Sequence, residues 1–170
     1  MEASTLTTPR WPMSRSLRRT LLTVHIIASV GLLGDTAAVL LINVRAAATD
    51  DPALAAASYD LLATFSAVFG IPLSMAALLT GIAMGMGTKW GVLRHGWTTV
   101  KLLAIVSVIL VGAFVIGPGT ETMRTGGGGA ETRLIAASAY DVLVLTLATT
   151  LSVFKPRLRG ARRRDRRSPA

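Results

Sequence analysis

Apolar residues run along the chain in four long blocks, at about 17–44, 59–86, 97–116 and 134–154, and charged, Gly or Pro residues gather between them. A helix rises 1.5 Å per residue, so about 20 apolar residues cross the ~30 Å hydrocarbon layer of a bilayer. All four blocks are long enough. The pattern predicts an all-α membrane protein with four transmembrane helices in one bundle, preceded by an arm at 1–16 and followed by a tail at 155–170. The first block far exceeds the ~7–15 apolar residues of a secretory signal, so it reads as an uncleaved anchor.

Composition agrees with a membrane protein. Hydrophobic residues make up 51% of the 170 and charged residues only 16%, and the mean hydropathy is +0.54. The net charge of +9 is concentrated in the arm, in the segment GTKWGVLRHG and in the tail KPRLRGARRRDRR. Basic segments beside membrane spans set orientation and touch anionic headgroups, so both termini are expected in the cytoplasm and nucleic acid is not expected as a partner. Trp11, Trp90 and Trp97 fall near the same face, where indole rings anchor at headgroup depth. The loop holding Gly126 to Gly129 reads as a flexible external connection. No cysteine is present, which excludes disulfides, thiolate metal sites and iron-sulfur clusters.

The polar residues inside the blocks carry the candidate chemistry. The first block contains TVHIIA and the third TVKLLA, so an offset of 76 lays Lys101 on His25. Tyr59-Asp60 and Tyr140-Asp141 repeat likewise at the starts of the second and fourth blocks. The chain therefore reads as two parallel-repeat hairpins, with His25 and Lys101 at equal depth near the cytoplasmic side and turned into one cavity. Neutral imidazole ligates a metal or accepts a proton, and ammonium holds a carboxylate, so the pair suits an anionic or metal-centred ligand. The competing reading has Lys101 snorkelling to the headgroups and His25 bonding to a neighbouring helix.

Four spans, a histidine early in the first and Trp97, Lys101 and Leu102 opening the third as W-x-x-x-K-L resemble a broad bacterial superfamily. It includes the copper-resistance protein D-like membrane proteins, an uncharacterised four-helix integral membrane family and the small membrane-type protoporphyrinogen oxidase. The resemblance covers about residues 17–155 and is closest to the uncharacterised family. It implies a bacterial inner-membrane location, a haem b or porphyrin ligand, His25 as axial ligand or base, and Lys101 and Trp97 in the binding site. It also implies porphyrinogen oxidation with His25 and Lys101 as catalytic residues, although this chain has only two histidines and 5% aromatic residues.

Other residues support other functions. Asp35, about 13 Å below the outer end of its block by helical rise, is a proton-relay candidate or a polar contact between helices. Asp60 and Asp141 read as first-turn acids that complement helix dipoles, with tyrosines in an outer aromatic belt. Met84, Met86 and His95 offer thioether and imidazole donors for Cu(I). Gly81 and Gly85, with Gly31 and Gly34, form small-residue faces for close helix approach within the bundle or in a homo-oligomer. Pro72 predicts a kink. A small transporter, a copper-handling protein and a scaffold subunit are thus the alternatives to a cofactor protein.

Overall fold

The computed structural model describes residues 14–86 and 96–154, with side chains described for 14–86 and 99–152. The described residues are all helical apart from short connections, with no strand among them. The basic arm with Trp11, the segment holding Trp90 and His95, and the tail lie outside the described residues.

Helix α1, Arg15–Ala47, starts where the Ser14 hydroxyl accepts from the Leu17 N–H at 3.2 Å. Helix α2, Pro52–Phe65, has Asp51 as its N-cap, with one carboxylate oxygen accepting from the Ala53 N–H at 2.9 Å and the Leu54 N–H at 3.4 Å. Pro52 suits the first turn, where its missing N–H costs nothing. A π turn at Ser66–Gly70 leads into α3, Ile71–Met86. Helix α4, Gly96–Val111, passes through a second π turn at Gly112–Ile116 into α5, Gly117–Arg124; α6, Glu131–Phe154, completes the bundle. Four continuous helices result that are long and apolar enough to cross a membrane.

Both π turns stand two residues before a proline, Pro72 and Pro118. Proline has no N–H to give the carbonyl one turn behind it. The backbone widens instead, and the Ile71 N–H reaches Ser66 O while the Gly117 N–H reaches Gly112 O. The kink expected at Pro72 is therefore a π turn just ahead of the ring, a known cause of helix bending.

Helix α1 packs chiefly on α3 and α6, and also on α2; α4 packs on α6 and α3, and α2 on α5. This pattern is a ring of antiparallel spans in chain order, with α1 diagonal to α4. Arg15, Met86, Gly96 and Phe154, the described helix ends there, share one face, here called the terminal face; the opposite one is the loop face. One apolar cluster, including Val39, Tyr59, Leu62, Ile116 and Leu134, fills the loop-face half, and another, Leu32, Val108 and Leu145, fills the middle. Large apolar side chains such as Ile27, Leu41, Leu103, Phe114 and Leu143 point outward. Asp35, Thr36, Asn43, Ser138 and Asp141 are buried. Polar inside and apolar outside is the arrangement a hydrocarbon solvent favours.

The Gly126 to Gly129 connection opens on a helix stop: Gly126 adopts φ +83°, its N–H reaches Met123 O at 3.3 Å, and the Gly127 N–H reaches Thr122 O at 2.9 Å. These are the paired bonds of a Schellman motif. The first-turn role for Asp60 and Asp141 fails because α2 and α6 start earlier, at Pro52 and Glu131. Their neighbouring tyrosines also differ: Tyr59 is buried and Asp60 exposed, whereas Tyr140 is exposed and Asp141 buried. One residue turns a helix by ~100°, so the shared Tyr-Asp word places opposite faces inward, and Tyr59 belongs to the core rather than to an aromatic belt.

Candidate functional site

His25 lies on the stripe of α1 that continues through Ala28, Leu32, Asp35, Val39 and Asn43. Its ring is half-buried and turned to α3, where Nδ1 is 3.1 Å from Ala77 O and 3.0 Å from Thr80 Oγ1. The Thr80 hydroxyl is within reach of Ala76 O and Ala77 O on its own helix. The Ala77 carbonyl can only accept, so Nδ1 carries the proton toward it. In the neutral ring Nε2 is then the lone-pair nitrogen, available to a metal or a proton. The ring packs against α3 at Gly81, where an added Cβ would stand in ordinary contact, 3.4 Å from His25 Cε1.

Lys101 is half-buried on α4. It stands on the span diagonal to α1. Measured from the helix starts, His25 is ten residues into α1 and Lys101 five into α4, or about 15 and 7.5 Å; α1 projects further toward the terminal face. Trp97 stands one turn before Lys101, and its side chain lies outside the described residues.

Asp35 is separate from this pair. It is ten residues beyond His25 on α1, about 15 Å along the axis, and twelve before Ala47, about 18 Å from the loop-face end rather than 13 Å because the helix outruns its apolar block. Its Oδ2 lies 3.2 Å from where a Cβ would stand on Gly70, and its buried Oδ1 has no hydrogen-bond partner. The proposed copper donors are not gathered by α3. The helix continues through Met86, with Met84 half-buried and Met86 70% exposed, and residues two apart on a helix diverge by ~200°. His95 lies outside the described residues. Among the described residues no three His, Cys, Asp or Glu side chains converge as a metal group.

The glycine faces serve the bundle itself at two positions: Gly81 accommodates His25, and a Cβ at Gly31 would meet Leu73 at 3.3 Å. Sequence reasoning missed the polar group of the loop-face half. Asn43 Nδ2 donates to Ser138 Oγ at 3.0 Å, the Ser138 hydroxyl donates to Leu134 O, and Asp141, one turn further along α6, is only 2% exposed. The usable signal was periodicity: Leu134, Ser138, Asp141 and Leu145 share the buried stripe of α6.

No curated protein and no solved structure was found to match the chain. A family model described as "Predicted integral membrane protein (DUF2269)" matches residues 19–156, a stretch that takes in all four spans, His25 and Lys101. With polar groups inside, apolar side chains facing outward and a match over most of its length, the chain belongs to this DUF2269 family of integral membrane proteins.

Proposed function

We propose that this protein binds an anionic, metal-centred cofactor in the terminal-face half of the bundle, with His25 as ligand or base and Lys101 as the countercharge. The observation that supports it is the fixing of His25 Nδ1 by Ala77 O and Thr80 Oγ1, which presents Nε2 as the lone-pair nitrogen. A metal-ligating histidine is commonly oriented in this way, its other nitrogen donating to a carbonyl. Lys101 stands in the same half of the bundle, where its ammonium would hold a carboxylate.

The ligand class that suits this donor pair is a carboxylate-bearing porphyrin, haem b in particular. The His25 imidazole would ligate the iron and the Lys101 ammonium would hold a propionate. The resemblance of His25 and of the Trp97-Lys101-Leu102 motif to the copper-resistance protein D-like and protoporphyrinogen oxidase superfamily favours the same ligand. When bound, haem would supply one-electron redox chemistry; His25 and Lys101 would hold and orient it. The positive-inside rule favours a cytoplasmic terminal face, and the resemblance favours a bacterial inner membrane.

The test is the visible spectrum of the purified protein and its titration with haemin. A Soret band should appear in the wild type and be lost in His25→Ala, while Lys101→Met should weaken binding by roughly tenfold, the worth of one charge-assisted hydrogen bond. Equal binding by wild type and His25→Ala would overturn the proposal.

A further inference from the structure

The loop-face half of the bundle holds polar groups that the terminal-face site does not use. Asp35 is 9% and Asp141 2% exposed, and each has a buried Oδ1 without a hydrogen-bond partner; Asn43 Oδ1 is in the same condition. A carboxylate buried among apolar groups must gain a proton or a cation, because the isolated charge is costly. Among the described residues, no lysine or arginine is buried in this half. Arg124 pairs at the surface with Asp60 and Glu121, and Arg45 and Arg133 are exposed. The titratable group facing inward from α2 is Tyr59, which is buried.

The contact between Asn43 and Ser138 sets the register of α1 against α6. Asp141 lies three residues inward from Ser138, or about 4.5 Å, and side chains tilt toward their own helix N-terminus. Since α1 and α6 are antiparallel, Asp141 tilts toward the loop face and Asn43 away from it, which brings the carboxyl and the amide to one level. One proton on Asp141, donated to Asn43 Oδ1, would satisfy both orphaned oxygens. Asp35 is the next carboxyl inward, about 7.5 Å deeper along the axis by the same register, and lies against Gly70 at the π turn. One turn beyond it on α1 stands Leu32, which packs with Val108 and Leu145.

We propose that the loop-face half of the bundle is a proton-binding site, in which Asp141 shares its proton with Asn43 Oδ1 and Asp35 is the second carboxyl that gains and loses a proton. Each step moves a proton between water and one carboxylate oxygen. No other reactant takes part.

The full chain in liposomes is examined by infrared spectroscopy across a pH series in sodium-free, potassium-free buffer. The proposal expects carbonyl-stretch bands of protonated carboxylic acids that change with pH and shift in deuterated water, one lost in Asp141→Asn and the other in Asp35→Asn. Asp60→Asn, an exposed control, should leave both. Wild-type protein labelled with carboxyl-13C aspartate should shift both bands, which assigns them without relying on either variant to fold. Absence of titrating acid bands would overturn the proposal. So would bands unmoved by the label, or bands abolished by sodium or potassium at constant pH, which would make the site a metal-cation site.

Discussion

His25 Nδ1 is held by two neighbours on α3, of which the Ala77 carbonyl can only accept. Thr80→Val removes one partner but leaves Ala77 O, so the ring should keep its tautomer and haemin binding should fall only a few-fold. Gly81 sets the available space. A methyl at 3.4 Å from His25 Cε1 is ordinary contact, so Gly81→Ala should bind haemin nearly as well as the wild type. Gly81→Leu should displace the imidazole and abolish the Soret band; a normal band in that variant would contradict the close approach of ring and helix. In the other half, Asn43→Leu removes the bond to Ser138, and side-chain hydrogen bonds between membrane helices contribute about 0.6 and up to 1.7 kcal/mol. Reversible detergent unfolding should show a loss in that range.

The elements follow from ordinary helix rules, with a glycine stop after α5 and a π turn ahead of α3. Gly126 ends α5 at φ +83°, a conformation that costs an L-residue about 1–2 kcal/mol. Gly126→Ala should therefore lower stability by about that amount in the same unfolding assay. The π turn at Ser66–Gly70 spends one residue more than an α turn, as the Ile71 N–H to Ser66 O bond shows. Deleting Ala67, an exposed residue of that turn, should restore α-helical register and leave the Thr80 face on His25, so the protein should still fold and bind haemin. Deleting Ala76 from α3 should turn Ala77 and Thr80 away from α1 and abolish binding. Equal behaviour of the two deletions would show that the π turn is not what sets the register of α3.

For the molecule as a whole, the four spans were legible because lipid leaves a coarse signal: long apolar runs broken by charge. The pairing of His25 with Lys101 was suggested by the words TVHIIA and TVKLLA, and the two stand on the diagonal spans α1 and α4. The buried group of Asn43, Ser138 and Asp141 was not legible. Its residues lie near block ends, where polar side chains look like boundary markers, and α6 begins three residues before its apolar block does. The Tyr-Asp repeat misled for a related reason, since word identity carries no information on which face a helix turns inward. Pro72 marked a disturbance, but the choice between a kink and a π turn depends on backbone bonds that no residue type specifies.

The native chain has no cysteine, so introduced cysteines are unique probes of its orientation. With the terminal face in the cytoplasm, cysteines at Thr49 and Gly128 should react with an impermeant maleimide on intact cells, and one at Ser168 should react only after lysis. The reverse pattern would invert the assigned topology. The central claim is tested most directly by one spectrum: absorption of the purified protein titrated with haemin, wild type beside His25→Ala. A saturable Soret band that needs the imidazole is the predicted result, and either no band in the wild type or an undiminished band in the variant would contradict it.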